Sequence, residues 1–384
     1  MTDEAPTTPG TTNAATPPRK PAVLLIGALL GLVLGYVVLL LVQGGIAYIW
    51  TTVPDGMDGA PAWYVIAVPL AAGILVFAIR RFLGDHGHAP LGGITVSPLT
   101  PRGYLDAILA IAASLLGGIV LGPEVAMVST GAVIGGLLAK ATGADTKRVV
   151  GASAAGSLLA LFVKPVLSGS LSLGGTSDLV VADIAWAVPT ALLTALVVAI
   201  VRGGAWLIFR ATGPSARLWA LVGGALVVSA SALLLQAWTG APITFVVTSG
   251  EGDISQLSQE TVASTVLAVL LLKSVAYAAS LGGGFRGGPF FPVMFVGAAA
   301  GLFMSLVLPS GPSATAGIVV GIVASVIGTA PMKWPIALIL GAVIGYAFAG
   351  WALVPAALVG AAVARLVPRF GDRLAPAAPA SPAG

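Results

Sequence analysis

Long apolar runs separated by short polar connections dominate the pattern of this 384-residue chain. The first run, Ala22–Val42, is long enough to cross a bilayer, which takes about 20 helical residues. It has no evident cleavage site, so it reads as a span and not as a cleaved leader. Ala62–Ile79 is the next span and ends at Arg80 and Arg81. Gly84–Arg102 breaks the pattern with Gly, Pro and His and predicts a loop or re-entrant piece. Asp106 is expected to start the helix Ala107–Leu121, and Glu124 the one after. Val149–Leu173 is apolar but expected to be broken at Pro165. Leu179–Val201, with Asp183 as a start residue, closes the first half. Leu218–Ala237, Val262–Leu281, Phe290–Leu308, Thr315–Ile327, Ile336–Ala349 and Val354–Val367 follow. Several are too short to span alone, and short Gly/Pro-cut helices belong where backbone lines a cavity.

Two stretches share one pattern. Gly117–Gly136 reads GGIVLGPEVAMVSTGAVIGG, and Gly283–Leu302 reads GGFRGGPFFPVMFVGAAAGL. Gly117, Gly118, Gly122, Pro123, Gly131, Ala132 and Gly135 recur as Gly283, Gly284, Gly288, Pro289, Gly297, Ala298 and Gly301, always 166 positions later. A looser echo repeats Gly151 and Pro165 as Gly321 and Pro335. In each stretch the Gly-Pro pair ends one helix and starts another. Duplicated membrane halves with matching breaks predict a transporter whose site lies at the repeat interface. Glu124 falls in the first turn after its break, beside unpaired N–H groups. A carboxylate at membrane depth is a functional-site hypothesis by default.

Composition agrees. The chain is 57% hydrophobic and 8% charged, with 51 glycines and no cysteine, and its mean hydropathy is +1.02. That excludes disulfides and thiolate chemistry and implies an all-α polytopic membrane protein. The net charge of +4 needs no nucleic-acid partner, because it follows topology. Arg19/Lys20, Arg80/Arg81/Arg102, Lys140/Lys147/Arg148, Arg202/Arg210/Arg217 and Arg365/Arg369/Arg373 make a basic side. Asp55/Asp58 and Glu251/Asp253/Glu260 make an acidic one. The positive-inside rule puts both termini in the cytoplasm of a multi-pass cell-membrane protein. The expected organisation is a disordered cytoplasmic tail at 1–20, half-repeats at 21–214 and 215–368, and a second tail at 369–384.

These motifs resemble those of the CLC family of chloride channels and proton-coupled chloride exchangers, over roughly residues 22–368. Gly122-Pro123-Glu124-Val125-Ala126 is similar to the family's Gly-Lys/Arg-Glu-Gly-Pro segment. Gly288-Pro289-Phe290-Phe291-Pro292 matches its Gly-x-Phe-x-Pro segment. His86-Gly87-His88-Ala89-Pro90 is a weak counterpart of Gly-Ser-Gly-Ile-Pro. The variants look closest to a divergent bacterial branch known only as ion-transport proteins. The resemblance implies an inverted repeat with broken and re-entrant helices, a homodimer with one pore per subunit, chloride bound by helix N-termini, and Glu124 as the gating carboxylate. The anion-binding positions carried over are Gly87, Gly122, Glu124, Val125, Gly288, Phe290 and Phe291.

The chain also departs from the pattern. Gly87 replaces a Ser ligand, and Val354–Val367 lacks the Tyr that would supply a second hydroxyl. Pro289 and Pro123 each remove a backbone donor. Arg286 and Lys164 could return positive charge, with snorkelling to an interface as the plainer reading. Lys273 and Lys333 are expected near interfaces. The inner proton-transfer Glu of exchangers would fall in Gly174–Asp183, where Asp178 and Asp183 are the only carboxylates. The expectation is therefore chloride or small-anion transport, uncoupled or weakly coupled, with no cofactor and no bound metal. The alternative is a proton-coupled antiporter for chloride or another small anion such as fluoride, although the Asn expected of a fluoride branch is absent between His86 and Pro90. His86 and His88 could form a pH sensor or metal pair, with a loop at the membrane edge as the plainer role. An enzyme would need a nucleophile–base pair or metal cluster that two histidines and no cysteine do not provide. A non-transporting remnant of the fold is the remaining rival.

Overall fold

The computed structural model describes residues 21–86, 89–94, 96–168, 181–213, 217–330 and 332–367, and fourteen α-helices make up most of them. The first half holds α1 (Pro21–Ala47), the short α2 (Val53–Asp55), α3 (Ala62–Phe82), α4 (Pro101–Leu116), α5 (Glu124–Thr142) and α6 (Thr146–Ser168). Then come α7 (Val181–Thr212), α8 (Leu218–Thr239), the short α9 (Ile254–Leu257), α10 (Ala263–Gly282), α11 (Phe290–Val307), α12 (Ala314–Thr329), α13 (Trp334–Ala349) and α14 (Val354–Leu366). Among the described residues, 7 helical stretches are long and apolar enough to cross a membrane. The exposed faces are apolar too: Leu41, Ile200 and Ile339 are each more than 60% exposed. Such surface is stable against lipid or another apolar face and not against water. In α8, exposed Trp219 and Trp238 stand near opposite ends, about 28 Å apart at 1.5 Å per residue, which matches a bilayer's apolar thickness.

Glycine explains the packing. A Cβ at Gly301 of α11 would lie 1.8 Å from the Gly317 carbonyl oxygen of α12, and one at Gly321 would lie 2.0 Å from that of Gly297. In the first half, Gly131 and Gly135 of α5 face Ser153 and Val150 of α6 in the same way. Gly131/Gly297 and Gly135/Gly301, two of the pairs that recur 166 positions apart, are therefore helix-crossing points where two backbones touch. The packing order repeats as well: α4, α5 and α6 form a chain of neighbours, and so do α10, α11 and α12. The two sets meet through α3 against α8, where the Ser229 hydroxyl donates to the Val65 carbonyl at 2.8 Å.

Several local expectations change. α4 begins at Pro101, capped by Thr100, whose hydroxyl accepts from the Gly103 N–H at 3.1 Å. Asp106 is thus inside the helix and buried, not at its start, because Thr-Pro is the stronger start signal. α6 runs through Pro165 to Ser168 without the expected break. α7 runs past Arg202 and Arg210, so these lie on a helix and not in a connection. Asp183 does stand in the first turn of α7. It also accepts from the Ser313 N–H at 2.8 Å and hydroxyl at 3.0 Å, bracing the start of α12. The tails at 1–20 and 369–384, Gly87, His88, Asp178 and the Lys164 side chain lie outside the described residues.

If backbone contact at these glycines sets the packing, Gly301→Ala lowers stability by roughly 1–3 kcal/mol or more through overpacking. Gly203→Ala, with no atom within 4 Å of the new Cβ, is neutral or slightly stabilising. Thermal melting in detergent checks this, and equal melting shifts for the two variants would refute it.

Candidate functional site

Both Gly-Pro breaks come to one place. Gly117 and Gly283 are the C-caps of α4 and α10, and Gly118 (φ +75°) and Gly284 (φ +96°) then turn the chain in the left-handed region that favours glycine. The broken segments then pair with each other. The Gly122 N–H donates to the Gly288 carbonyl at 2.7 Å, and the Gly288 N–H donates back to Gly122 at 2.7 Å. A second reciprocal pair surrounds this bridge. The Ser114 hydroxyl oxygen accepts from the Arg286 N–H at 3.2 Å, and that of Ser280 accepts from the Val120 N–H at 3.1 Å. Ser114 and Ser280, like Val120 and Arg286, are 166 positions apart. The bridge therefore marks the pseudo-two-fold axis between the halves. The serines carried the repeat signal too, but a polar pair in Gly/Ala-rich sequence attracts no notice by itself.

Glu124 is the first residue of α5 and is 1% exposed. Its carboxylate crosses the axis and accepts from the N–H of Phe290, the first residue of α11. It thus lies at the positive end of the opposite helix, where anions are favoured. Its Oε2 has no hydrogen-bond partner among the described residues. Glycine makes the room: a Cβ at Gly122 would come 2.1 Å from Oε2, and one at Gly288 would come 2.0 Å from the carboxyl carbon. The structure brings Gly122, Glu124, Val125, Gly288, Phe290 and Phe291 together at this junction. Val125 is buried beside Glu124, and Phe290 and Phe291 are partly buried. Tyr277 of α10, missed from sequence, is buried beneath them, and its hydroxyl donates to the Pro289 carbonyl.

Buried charge flanks the bridge on both sides. On one, Arg80 donates to Asp85 through Nε at 2.9 Å and Nη2 at 2.7 Å, and to the Gly284 carbonyl at 2.6 Å. Arg286 donates to the same Asp85 carboxylate through Nη2. Arg80 and Arg286 are 6% and 5% exposed. Arg80 is therefore not the topology marker it resembled. It satisfies a backbone carbonyl that the glycine turn leaves open. Next to this cluster, the exposed His86 ring pairs with buried Asp106 through Nδ1 at 2.7 Å. No group of three or more metal-ligating side chains occurs among the described residues.

On the other side, Lys273 is fully buried and not at an interface. Its ammonium donates to the carbonyls of Val246, Val247 and Thr248 at 3.0, 3.3 and 2.9 Å and sits 4.9 Å from the Phe295 ring centre. Apolar flanks made it look like an interfacial snorkeller, but the carbonyls that retain it come from residues 25–27 positions away. That segment leads to Glu251, which accepts from Gln43 Nε2 at 2.7 Å and whose charge reaches Glu124. Lys333 is exposed at the N-cap of α13.

Comparisons with known proteins agree with this architecture. The sequence profile of the family described as Voltage gated chloride channel matches residues 165–369. The chain is 27% identical over 326 residues to the "Putative ion-transport protein YfeO" of Escherichia coli O17:K52:H18 (strain UMN026 / ExPEC), covering 69% of this chain and 74% of that protein. It is 24% identical over 310 residues to the protein of the same name from Salmonella choleraesuis (strain SC-B67), covering 70% and 75%. The fold is similar to that of a slow cyanobacterial Cl−/H+ antiporter, with a TM-score of 0.71 at 16% identity over 92% of this chain and 94% of that one. A CLC-type fluoride/proton antiporter follows with a TM-score of 0.62 at 14% identity over 91% and 95%.

Asp85 gives the cluster a pH signature. Burial raises its pKa, but the hydrogen bonds and charges of Arg80 and Arg286 outweigh that and hold it below the usual carboxylate range. A depressed native value contributes stability that is full above the ordinary carboxylate pKa of about 4 and is lost as pH falls through the native value. Melting temperature followed from neutral pH to pH about 3 should therefore fall more steeply for the wild type than for Asp85→Asn, which melts lower at neutral pH. Parallel curves would remove Asp85 from this role.

Proposed function

We propose, for a chain that belongs to the voltage gated chloride channel (CLC) family, that it carries chloride or another small anion through a pore gated by Glu124, without strict proton coupling. The protein is a multi-pass membrane protein of CLC fold, and anion transport is the work of that family. The observation that carries the finer reading is the buried Glu124 carboxylate on the Phe290 N–H. A carboxylate is a tethered anion. Where it is held by a helix N-terminus, a free anion is favoured by the same donors once the carboxylate leaves. Protonation removes the charge that holds it there.

In this reading Gly122 and Gly288 allow the close approach, and the N–H groups of Val125, Phe290 and Phe291 serve the anion. The Tyr277 hydroxyl does not replace the missing ligands, because it is committed to the Pro289 carbonyl. Gly87, Lys164 and a homodimeric assembly stay in the proposal on the resemblance alone, as does the absence of a cofactor. Weak coupling is supported by the engagement of Asp183 with Ser313, which leaves no described carboxylate free in Gly174–Asp183. The exposed Arg81, Lys140, Lys147, Arg148 and Arg217, opposed by exposed Asp55 and Asp58, support cytoplasmic termini in the cell membrane. The packing favours dividing the halves ahead of α7 and not at 214/215, because α7 lies against α11 and α12 as α1 does against α5 and α6.

Proton-coupled antiport is the second reading. Its support is the His86–Asp106 pair, a solvent-reaching imidazole on a buried carboxylate, together with the antiporters that share the fold.

Chloride efflux from proteoliposomes, with external pH recorded, separates them. Wild-type protein should release chloride with little proton movement, and Glu124→Gln should change the rate. Proton movement that the substitution abolishes would select antiport. An absence of flux for every small anion tried would remove the transport proposal.

A further inference from the structure

The two halves share a backbone frame and differ in what they hang on it. Glu124 stands where the other half has Phe290, and Arg286 stands where the first half has Val120. The Ser114 and Ser280 hydroxyls hold the two backbones of the latter pair alike, so the arginine is not needed to build the frame. The Arg286 side chain is only 6% exposed. Two guanidiniums, of Arg80 and Arg286, converge on the single carboxylate of Asp85. Arg80 is also bound to the Gly284 carbonyl. Arg286 keeps a buried Nε with no hydrogen-bond partner among the described residues. A buried guanidinium N–H without an acceptor is costly at membrane depth, and a small anion is the acceptor that the transported cargo would supply. Asp85, the carboxylate already on this guanidinium, is 36% exposed and sits at the solvent-facing edge of the cluster. Other charge in the neighbourhood is that of Asp106 from α4 and His86 from the loop after α3.

We propose that Arg286 is a second anion contact, on the side of the bridge opposite Glu251, and that Asp85 competes there with the incoming anion. The proposal rests on the anion-transport reading. An anion that approaches takes the Arg286 donors, and Asp85 retains Arg80 as its partner. The carboxylate therefore raises the anion concentration needed to fill the contact, whereas the guanidinium lowers it. Arginine suits this contact better than lysine, since a planar guanidinium holds its N–H donors in a fixed fork that an ammonium lacks.

The test is chloride binding to purified protein by titration calorimetry, with the concentration dependence of efflux from proteoliposomes beside it. Arg286→Gln should weaken chloride binding roughly tenfold or more, the effect of losing a charge-assisted hydrogen bond. Asp85→Asn should move it the other way and tighten binding by about a few-fold, because a competitor for the same donors is removed. Arg286→Lys keeps the charge without the fork and should fall between wild type and Arg286→Gln. A merely structural ion pair predicts something else: both partners' substitutions would weaken chloride binding in the same direction. That result, or unchanged chloride affinity in well-folded Arg286→Gln, overturns the proposal while wild-type, Glu124-dependent efflux keeps the transport reading intact. Failure of the wild type to bind or move chloride overturns both.

Discussion

Two hydrogen bonds between Gly122 and Gly288 hold the centre of this protein together. In an apolar interior every backbone N–H and C=O needs a partner. A helix that stops at mid-depth leaves several without one. Here each break supplies what the other lacks, and a reciprocal bridge between equivalent residues is possible only across a two-fold relation. The pseudo-symmetry is thus a way of satisfying broken backbone. The serines repeat the device one step outward, and the carbonyls of Gly118 and Gly284 show where it ends. Gly118 is satisfied by the Thr248 N–H at 2.9 Å, whereas Gly284 takes a guanidinium N–H of Arg80. One half closes its turn with backbone and the other with charge.

Glycine and proline were legible because this constraint leaves no substitute for them. A Cβ at Gly122 or Gly288 would enter the Glu124 carboxyl group, and one at Gly301 would enter a backbone carbonyl. Residues under such steric limits recur at a fixed offset, so the duplication, the helical class, the breaks and the position of Glu124 can all be read from the chain. The reading of α4 failed for a local reason. Asp106 looked like a helix start because acidic residues favour first turns, but Thr100-Pro101 upstream offered both a side-chain cap and a residue already lacking its N–H. Pro165 failed for the opposite reason: a proline in an apolar run can be carried inside a long helix, and its position does not reveal which outcome holds.

Charged residues were the least legible. Arg80 and Lys273 each look like snorkelling or loop charges, since a lone base beside an apolar run is usually that. Their true partners are fixed by tertiary structure. Arg286 and Asp85 are 201 positions apart, and Arg80 reaches a carbonyl 204 positions away. No periodicity connects such residues. What sequence can offer is rarity: in a chain only 8% charged, each charge at membrane depth has to be paired by something. Asking which charges lack an obvious solvent route would have singled out Lys273 and Arg286 before their partners were known.

The placement of those charges bears on how the junction keeps its shape. Lys273 gathers three successive carbonyls, from Val246 to Thr248, and Thr248 adopts a left-handed φ of +62° in the process. A non-glycine residue in that region is held against its preference, and here the holding force is the ammonium below and the Gly118 carbonyl above. The segment so fixed sets Glu251 in electrostatic reach of Glu124. On the opposite side Arg80 fixes Gly284, and through it the turn that delivers Arg286, Gly288 and the start of α11. Each turn beside the bridge is therefore pinned by one buried cation whose main partners are backbone or an acid of its own half. A cation used in this way removes open carbonyls without adding bulk at the axis. The axis is left to glycine, two helix N-termini and a single carboxylate.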